Sequence, residues 1–152
     1  MTEINIARYP SEELLVQINH LLPQLSSSAT PVTIEHLRDL LDSSAITLFM
    51  ATHEDRTIGM LTLAMFPIPT GIRAWIEDVV VDADARGLGT GGLLTATAVE
   101  HAQRHGATTV DLTSRPTRES ANALYRKIGF VQRETNVYRF FIESEIEPES
   151  QK

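Results

Sequence analysis

Cysteine is absent from this chain. That excludes a disulfide framework, a thiol nucleophile and cysteine-ligated metal sites. It is compatible with a reducing compartment, and a cytoplasmic location is expected. Long hydrophobic runs are absent too. No apolar stretch approaches the roughly 20 residues that span a bilayer, so no membrane partner is expected. The first ten residues, MTEINIARYP, carry neither a basic region nor an apolar core and do not read as a signal peptide. Positive charge is scarce: 13 Lys and Arg stand against 20 Asp and Glu, a formal net charge of -7. That balance argues against nucleic acid or an anionic membrane as a partner. Part of the excess sits at Glu143, Glu145, Glu147 and Glu149, and residues 143–152 read as an acidic, disordered tail. His53 falls in a turn-like stretch and His101 and His105 in a helical one. No pair of them has a third ligand at metal spacing, so no metal is expected.

What is present is ordinary for a globular domain, with 42% apolar and 22% charged residues in a chain of 152. Residues 1–142 read as one domain with its own core. Residues 3–7 alternate as a strand. Ser11 caps an amphipathic helix with Leu14, Leu15, Ile18, Leu21 and Leu22 on one face, and Pro23 is expected to end it. Residues 33–41 form a second helix, and residues 46–52 and 57–65 a hairpin turning at 53–56. Pro67, Pro69 and Gly71 break the chain before a strand at 73–82. A helix over 93–105 is closed by Gly106, a strand follows at 108–113, and a helix over 118–128 is closed by Gly129. Two last strands are expected at 130–133 and 136–142. The predicted order is β α α β β β α β α β β. It implies a mixed α/β fold: a mostly antiparallel sheet of six to seven strands, about four helices on both faces, and one right-handed crossover.

The chain is organised around WIEDVVVDADARGLGTGG, residues 75–92. Its first half is β-branched and strand-like. Its second half is dense in glycine and leads into a helix. Glycines let backbone approach a ligand closely, and the first turn of a helix offers unpaired N–H groups to an anion. A phosphorylated cofactor is therefore expected. A nucleotide P-loop needs Lys then Ser or Thr after its glycines, and here Leu93 and Leu94 follow. A dinucleotide fold is favoured by the G-x-G-x-x-G spacing of Gly87, Gly89 and Gly92 and by Asp111 about 20 residues on. Against it, Asp82, Ala83, Asp84, Ala85 and Arg86 intervene between the apolar strand residues and the glycines, Glu77 and Asp78 interrupt a strand that should be apolar throughout, and too little chain follows to complete such a sheet.

Arg86-Gly87-Leu88-Gly89-Thr90-Gly91 has the form R-x-x-G-x-G, and Asn122-Ala123-Leu124-Tyr125-Arg126-Lys127-Ile128-Gly129-Phe130 has the form N-x-x-x-Y-x-x-x-G-F. In both segments, and in their separation and element order, the chain resembles the GNAT superfamily of N-acetyltransferases. The resemblance implies acetyl-CoA (coenzyme A) as cofactor and direct transfer of its acetyl group to a primary amine of a small molecule or peptide. It implies that the N–H groups of Arg86, Gly87, Leu88, Gly89, Thr90, Gly91 and Gly92 cradle the pyrophosphate. It implies a bulged central strand splayed from its parallel neighbour, with Val79, Val80 and Val81 lending backbone groups to the pantetheine arm. Asn122 is matched to a residue bonding that arm, and Tyr125 to the tyrosine facing the sulfur, where a phenol can protonate a departing thiolate. Asn122 read without the resemblance is a solvent-facing helical residue, and Tyr125 a core residue packing its helix.

Glu77 is the candidate base that frees the acceptor amine of its proton, against a reading as a surface or substrate-binding carboxylate; Asp78 points to the other face. Ser114 and Arg115 follow the strand beside the splay, where ligands often sit. A homodimer is implied by family analogy. The rival reading is a non-catalytic module that binds or senses acyl-CoA. The acceptor site is expected among the two early helices, residues 26–31, residues 67–73 and the last hairpin near 134–137; no residue there marks one substrate class.

Overall fold

The computed structural model describes residues 1–142; the expected acidic tail, residues 143–152, lies outside the described residues. The elements run β1 (Thr2–Ala7), α1 (Glu12–Leu25), α2 (Ile34–Asp42), β2 (Ile46–His53), β3 (Arg56–Ile68), β4 (Gly71–Val81), a 3-10 turn (Ala83–Ala85), α3 (Thr90–Arg104), β5 (Val110–Asp111) and α4 (Glu119–Ile128). The sheet is ordered β1-β2-β3-β4-β5, antiparallel through β4 and parallel between β4 and β5.

Local chemistry sets most of these bounds. Ser11 Oγ accepts from the Leu14 N–H at 3.1 Å and starts α1, whose first turn carries Glu12 and Glu13 at the positive end of the helix dipole. Pro23 was expected to end this helix and does not; the helix runs two residues further to Leu25. A proline so near the end forfeits one bond in a turn that is already fraying. Leu22 and Leu25 pack on the core there, and the Ser26 N–H closes on the Leu22 carbonyl at 3.0 Å. The Asn19 side chain bonds both the N–H (2.8 Å) and the C=O (3.0 Å) of Val32, which ties the connecting loop back to α1. Thr33 Oγ1 then caps α2 through the His36 N–H.

His53 pairs with Arg56, so the β2–β3 loop is only Glu54 and Asp55. Both have positive φ, 48° and 62°, the twist that two-residue hairpins require. β3 runs through Pro67 instead of breaking there, and Pro67 sits opposite Ile72. The β2 pairing stops at Ala64, so beyond it one edge of β3 is free and a proline removes no ladder bond.

The core lies in two layers, one on each face of the sheet. One layer joins Phe49, Leu61, Leu63 and Ile76 to Leu94 and Ala98 of α3. The other joins Leu48, Met50 and Met60 to Leu14, Ile18 and Leu21 of α1 and Leu37 of α2. β4 serves both layers through a bulge. Glu77 pairs with Thr62 and Val80 with Met60, so Asp78 and Val79 together oppose Leu61 alone. The extra residue inverts the alternation. Ala74 and Ile76 face α3 before the bulge, and Val79 and Val81 face it afterwards, while Val80 joins the α1/α2 layer. Asp78 takes up the bend with φ of 51°, a left-handed conformation that Asp tolerates better than most residues.

Two expectations about the sheet are corrected. Among the described residues it has five strands, not six to seven, because residues 130–133 and 136–142 form no strand. Phe130 still packs on the core, and the chain beyond it is exposed. The expected strand at 108–113 is paired only at Val110 and Asp111.

The bulge yields a stability prediction. Asp78→Val forces a β-branched residue into the left-handed region and should destabilise the protein by about 1–3 kcal/mol. Asp78→Gly should stay within about 1 kcal/mol of the parent. Urea unfolding of both variants checks this; equal midpoints would show that residue 78 carries no strain.

Candidate active site

The glycine turn sits where β4 hands over to α3. Gly87 has φ of 86° and Gly89, the N-cap of α3, has φ of 74°. Those two glycines are needed for backbone conformation. Gly91 and Gly92 serve a different purpose, since both are already helical. A Cβ on Gly92 would lie a tight 3.3 Å from Leu124, so its smallness lets α4 close on the turn, while one on Gly91 would meet Leu124 at 3.5 Å and Val81 at 3.7 Å, ordinary contact distances. Among the described residues, no backbone N–H from 86 to 92 donates to another backbone group. These N–H groups lie on the exposed loop 86–89 and in the first turn of the 15-residue helix that follows it. The result is a concentrated patch of free donors at a positive dipole end, suited to an anion.

This turn is held from behind by a residue whose part sequence reasoning missed. Asp82 is 2% exposed. Its carboxylate accepts from Arg56 Nη2 at 2.7 Å and the Asp84 N–H at 3.1 Å, and pairs with His20 Nε2 at 3.0 Å. The Asp84 N–H foremost, then His20 and Arg56, outweigh burial and hold its pKa down at about 2. One turn along α1 from His20, Gln24 Oε1 accepts the Ala83 N–H at 2.8 Å. α1, β3 and the turn are thereby fastened at one point. The signals available in sequence were the D-A-D spacing of a self-capping turn and the i, i+4 placement of His20 and Gln24 on α1.

Beside the turn, β4 has an open edge. β4 and β5 pair only at Ala74 with Val110 and Trp75 with Asp111. From Ile76 to Val81, β4 has no β5 partner, and the two strands splay. Val79, Val80 and Val81 lie along this stretch, with Val80 buried and the others half-buried. Glu77 is exposed, on the face shared by Trp75 and Val80, and Glu77 Oε1 accepts from Trp75 Nε1 at 2.6 Å. Burial, which would have favoured a base there, is not its situation.

Tyr125 is buried on α4, and burial pushes its pKa up despite the opposing charge of Arg118. Its carbonyl accepts both the Gly129 N–H (3.2 Å) and the Phe130 N–H (2.9 Å), and its ring meets Phe130 edge-on at 5.8 Å. The Y-x-x-x-G-F spacing is thus also a helix C-cap with its hydrophobic contact. Asn122 Nδ2 donates to the Arg115 carbonyl at 2.9 Å and so braces the loop after β5. In that loop Ser114 Oγ is buried without a partner among the described residues, as is Thr90 Oγ1 at the start of α3. A cavity of about 440 Å³ lined by Ala45, Met65, Phe66, Ile72, His101 and His105 lies at the far end of α3 from the turn.

Residues 15–130 match the family model described as the Acetyltransferase (GNAT) family. The chain belongs to the GNAT acetyltransferase family. It is 34% identical over 133 residues to glucosamine 6-phosphate N-acetyltransferase 1 of Oryza sativa subsp. japonica, covering 80% of this chain and 77% of that protein. Its fold matches a putative acetyltransferase from Agrobacterium tumefaciens str. C58, with a TM-score of 0.80 at 26% identity over 93% and 99% of the two chains. It also matches an aminoglycoside acetyltransferase from an uncultured soil metagenomic sample, solved in complex with sisomicin. There the TM-score is 0.83 at 19% identity over 94% and 97%. As a GNAT protein this chain is an acyltransferase, and the family draws its acetyl group from acetyl-CoA. No helix among the described residues is long and apolar enough to cross a membrane.

The Asp82 contacts predict a pH dependence. A carboxyl held below its unfolded value stabilises the fold above that value and loses the effect as pH falls through its folded pKa. Stability should therefore drop between about pH 4 and about pH 2 as Asp82 protonates. Asp82→Asn should be less stable at neutral pH and show a shallower acid limb. Urea midpoints measured across that range check it; parallel curves would show that Asp82 is not the titrating group.

Proposed function

We propose that this chain binds acetyl-CoA in the glycine turn and along the open edge of β4, and passes the acetyl group directly to a primary amine. One observation carries the proposal: a run of backbone N–H groups with no backbone acceptor, at a helix N-terminus, beside a strand edge with no partner. The turn would hold the pyrophosphate through residues 86–92. The backbone of Val79, Val80 and Val81 would pair with the pantetheine amides as a neighbouring strand would. Asn122 would contact the same arm if it releases the Arg115 carbonyl, or position the loop if it keeps it. Acetyl-CoA supplies an activated thioester carbonyl.

Around that carbonyl the residues divide the proton work. Glu77 takes a proton from the acceptor ammonium, directly or through water, which leaves a nucleophilic amine. The freed amine would displace the thiolate from the acetyl carbon, and the second proton that its nitrogen then sheds would replace the one Tyr125 gives up. Tyr125, a phenol protonated at neutral pH in any case and held further from ionising by burial, gives or shares its proton with the leaving thiolate. No covalent enzyme intermediate enters, consistent with a chain that has no cysteine. The rice relative's name makes hexosamine phosphates the first acceptors to screen, with peptide amines as the second class.

Two measurements test this reading. Calorimetry should show acetyl-CoA binding to the parent protein and binding roughly tenfold or more weaker for Gly89→Trp, whose side chain would stand in the turn at positive φ. No binding to a folded parent would overturn the cofactor site. In steady-state assays Tyr125→Phe, which keeps the ring contact to Phe130, should lower kcat by about 100-fold. Glu77→Gln should flatten the acid limb of the kcat/KM profile. An unchanged profile would remove Glu77 as the base.

A further inference from the structure

The cavity of about 440 Å³ at the far end of α3 has the size of a small-molecule site. Ile72, on its wall, lies seven residues before Val79 on β4. That is roughly 20 Å along the strand, so the cavity is separate from the site proposed for acetyl transfer. Its walls are pinned by contacts within the chain. The Met65 N–H donates to the Ala45 carbonyl at 2.7 Å and joins the end of β3 to the start of β2. A Cβ on Gly106 would come within 3.2 Å of Ile72 Cδ1, so the end of α3 sits close on β4.

Ala45, Met65, Phe66 and Ile72 make the lining apolar, and His101 and His105 stand on one wall with their rings stacked at 4.1 Å. Such a pocket fits an apolar body with one polar end. The charges around the histidines decide the sign of that end. Burial pushes the pKa of His101 down, and the positive charges of His105, Arg104 and Arg8 act in the same direction. Arg104 is paired with Glu100 on the exposed side of α3. β2 meets His101 with the Phe49 ring, edge-on at 5.4 Å. β3 and β4 bring the apolar Met65 and Ile72, and Arg73 beside Ile72 pairs with Asp111 at 3.9 Å. No carboxylate is among the lining residues.

Two further details favour an anion. His105 Nδ1 lies 2.7 Å from the His101 carbonyl, which only accepts, so Nδ1 carries a hydrogen and Nε2 is the ring's free position. The carbonyls of His101, Ala102 and Gln103, which would repel an anion at this helix end, are already taken up by the N–H groups of His105, Gly106 and Ala107. We propose that this cavity binds a small aromatic carboxylate, its ring among Met65, Phe66 and Ile72 and its carboxylate against His101 and His105, and that the histidine pair takes up a proton as it binds. An aromatic ring suits this wall through contacts with the Phe66 ring and the Met65 sulfur.

Benzoate is the probe, with benzamide and benzylamine as its neutral and cationic counterparts. The readout is binding and not acetyl transfer, so its failure is separate from failure of the proposed activity. In NMR titrations of the full chain, benzoate should shift the ring signals of His101 and His105 and bind about tenfold more weakly at pH 8 than at pH 6. Benzamide should bind more weakly than benzoate at pH 6 and show no such pH dependence. Ile72→Trp, which fills the cavity from a partly exposed position, should abolish binding with the circular dichroism unchanged. His105→Gln should flatten the pH dependence. Saturating coenzyme A should leave benzoate affinity unaltered. No benzoate binding to the parent at pH 6 overturns the proposal, as does equal or tighter binding of benzamide or benzylamine. Unmoved histidine signals, or displacement of benzoate by coenzyme A, would overturn the placement in this cavity.

Discussion

The structure depends on one surplus residue in the middle of its central strand. A regular strand offers one face to each side, fixed by parity. β4 has to feed two core layers and also deliver functional groups near its end. By setting Asp78 and Val79 against Leu61, the chain changes parity once. Ala74 and Ile76 serve the α3 layer before the change, and Val80 serves the α1/α2 layer after it. The same irregularity lies on the stretch where β5 has already turned away. An edge of backbone groups therefore remains open beside the glycine turn.

Around that strand the fold divides its labour between side chains and main chain. Side chains do the fastening. The Asp82 carboxylate draws α1, β3 and the turn together, and the packing of Leu124 against Gly92 seats α4 on the start of α3. The main chain is left unsatisfied where a ligand would come. Donors at the turn and groups on the β4 edge are held in place by contacts made behind them, so little ordering is left for binding to accomplish.

Most of this was legible in the sequence because the signals were local. Helix caps at Ser11 and Thr33, the glycine closures at Gly106 and Gly129, and the R-x-x-G-x-G turn are short-range chemistry. What failed were features that depend on distant partners. Pro23 and Pro67 were read as breaks, but tertiary packing and a free strand edge absorb them. The strands expected at 130–133 and 136–142 have the right composition and no partner to pair with. At the site, Gly91 and Gly92 were read as turn residues, when both are helical positions and Gly92 is kept small for Leu124. Asp82 was read as a spacer because its contacts come from residues 26 and 62 positions away. The bulge at Asp78 was expected only through the family resemblance; alternation by itself predicted a regular strand.

The free amides of the turn have a consequence for how such a protein changes over time. Any amino acid except proline supplies the same N–H, so a recognition surface written in main chain is largely blind to side-chain identity. Only the positions with positive φ, and those pressed against a neighbour, are pinned. Drift elsewhere leaves the surface intact. That fits a fold shared at a TM-score of 0.83 with a protein of 19% identity. It also frees the side chains around the opening to vary, so that acceptor preference can diversify upon a frame that stays in place.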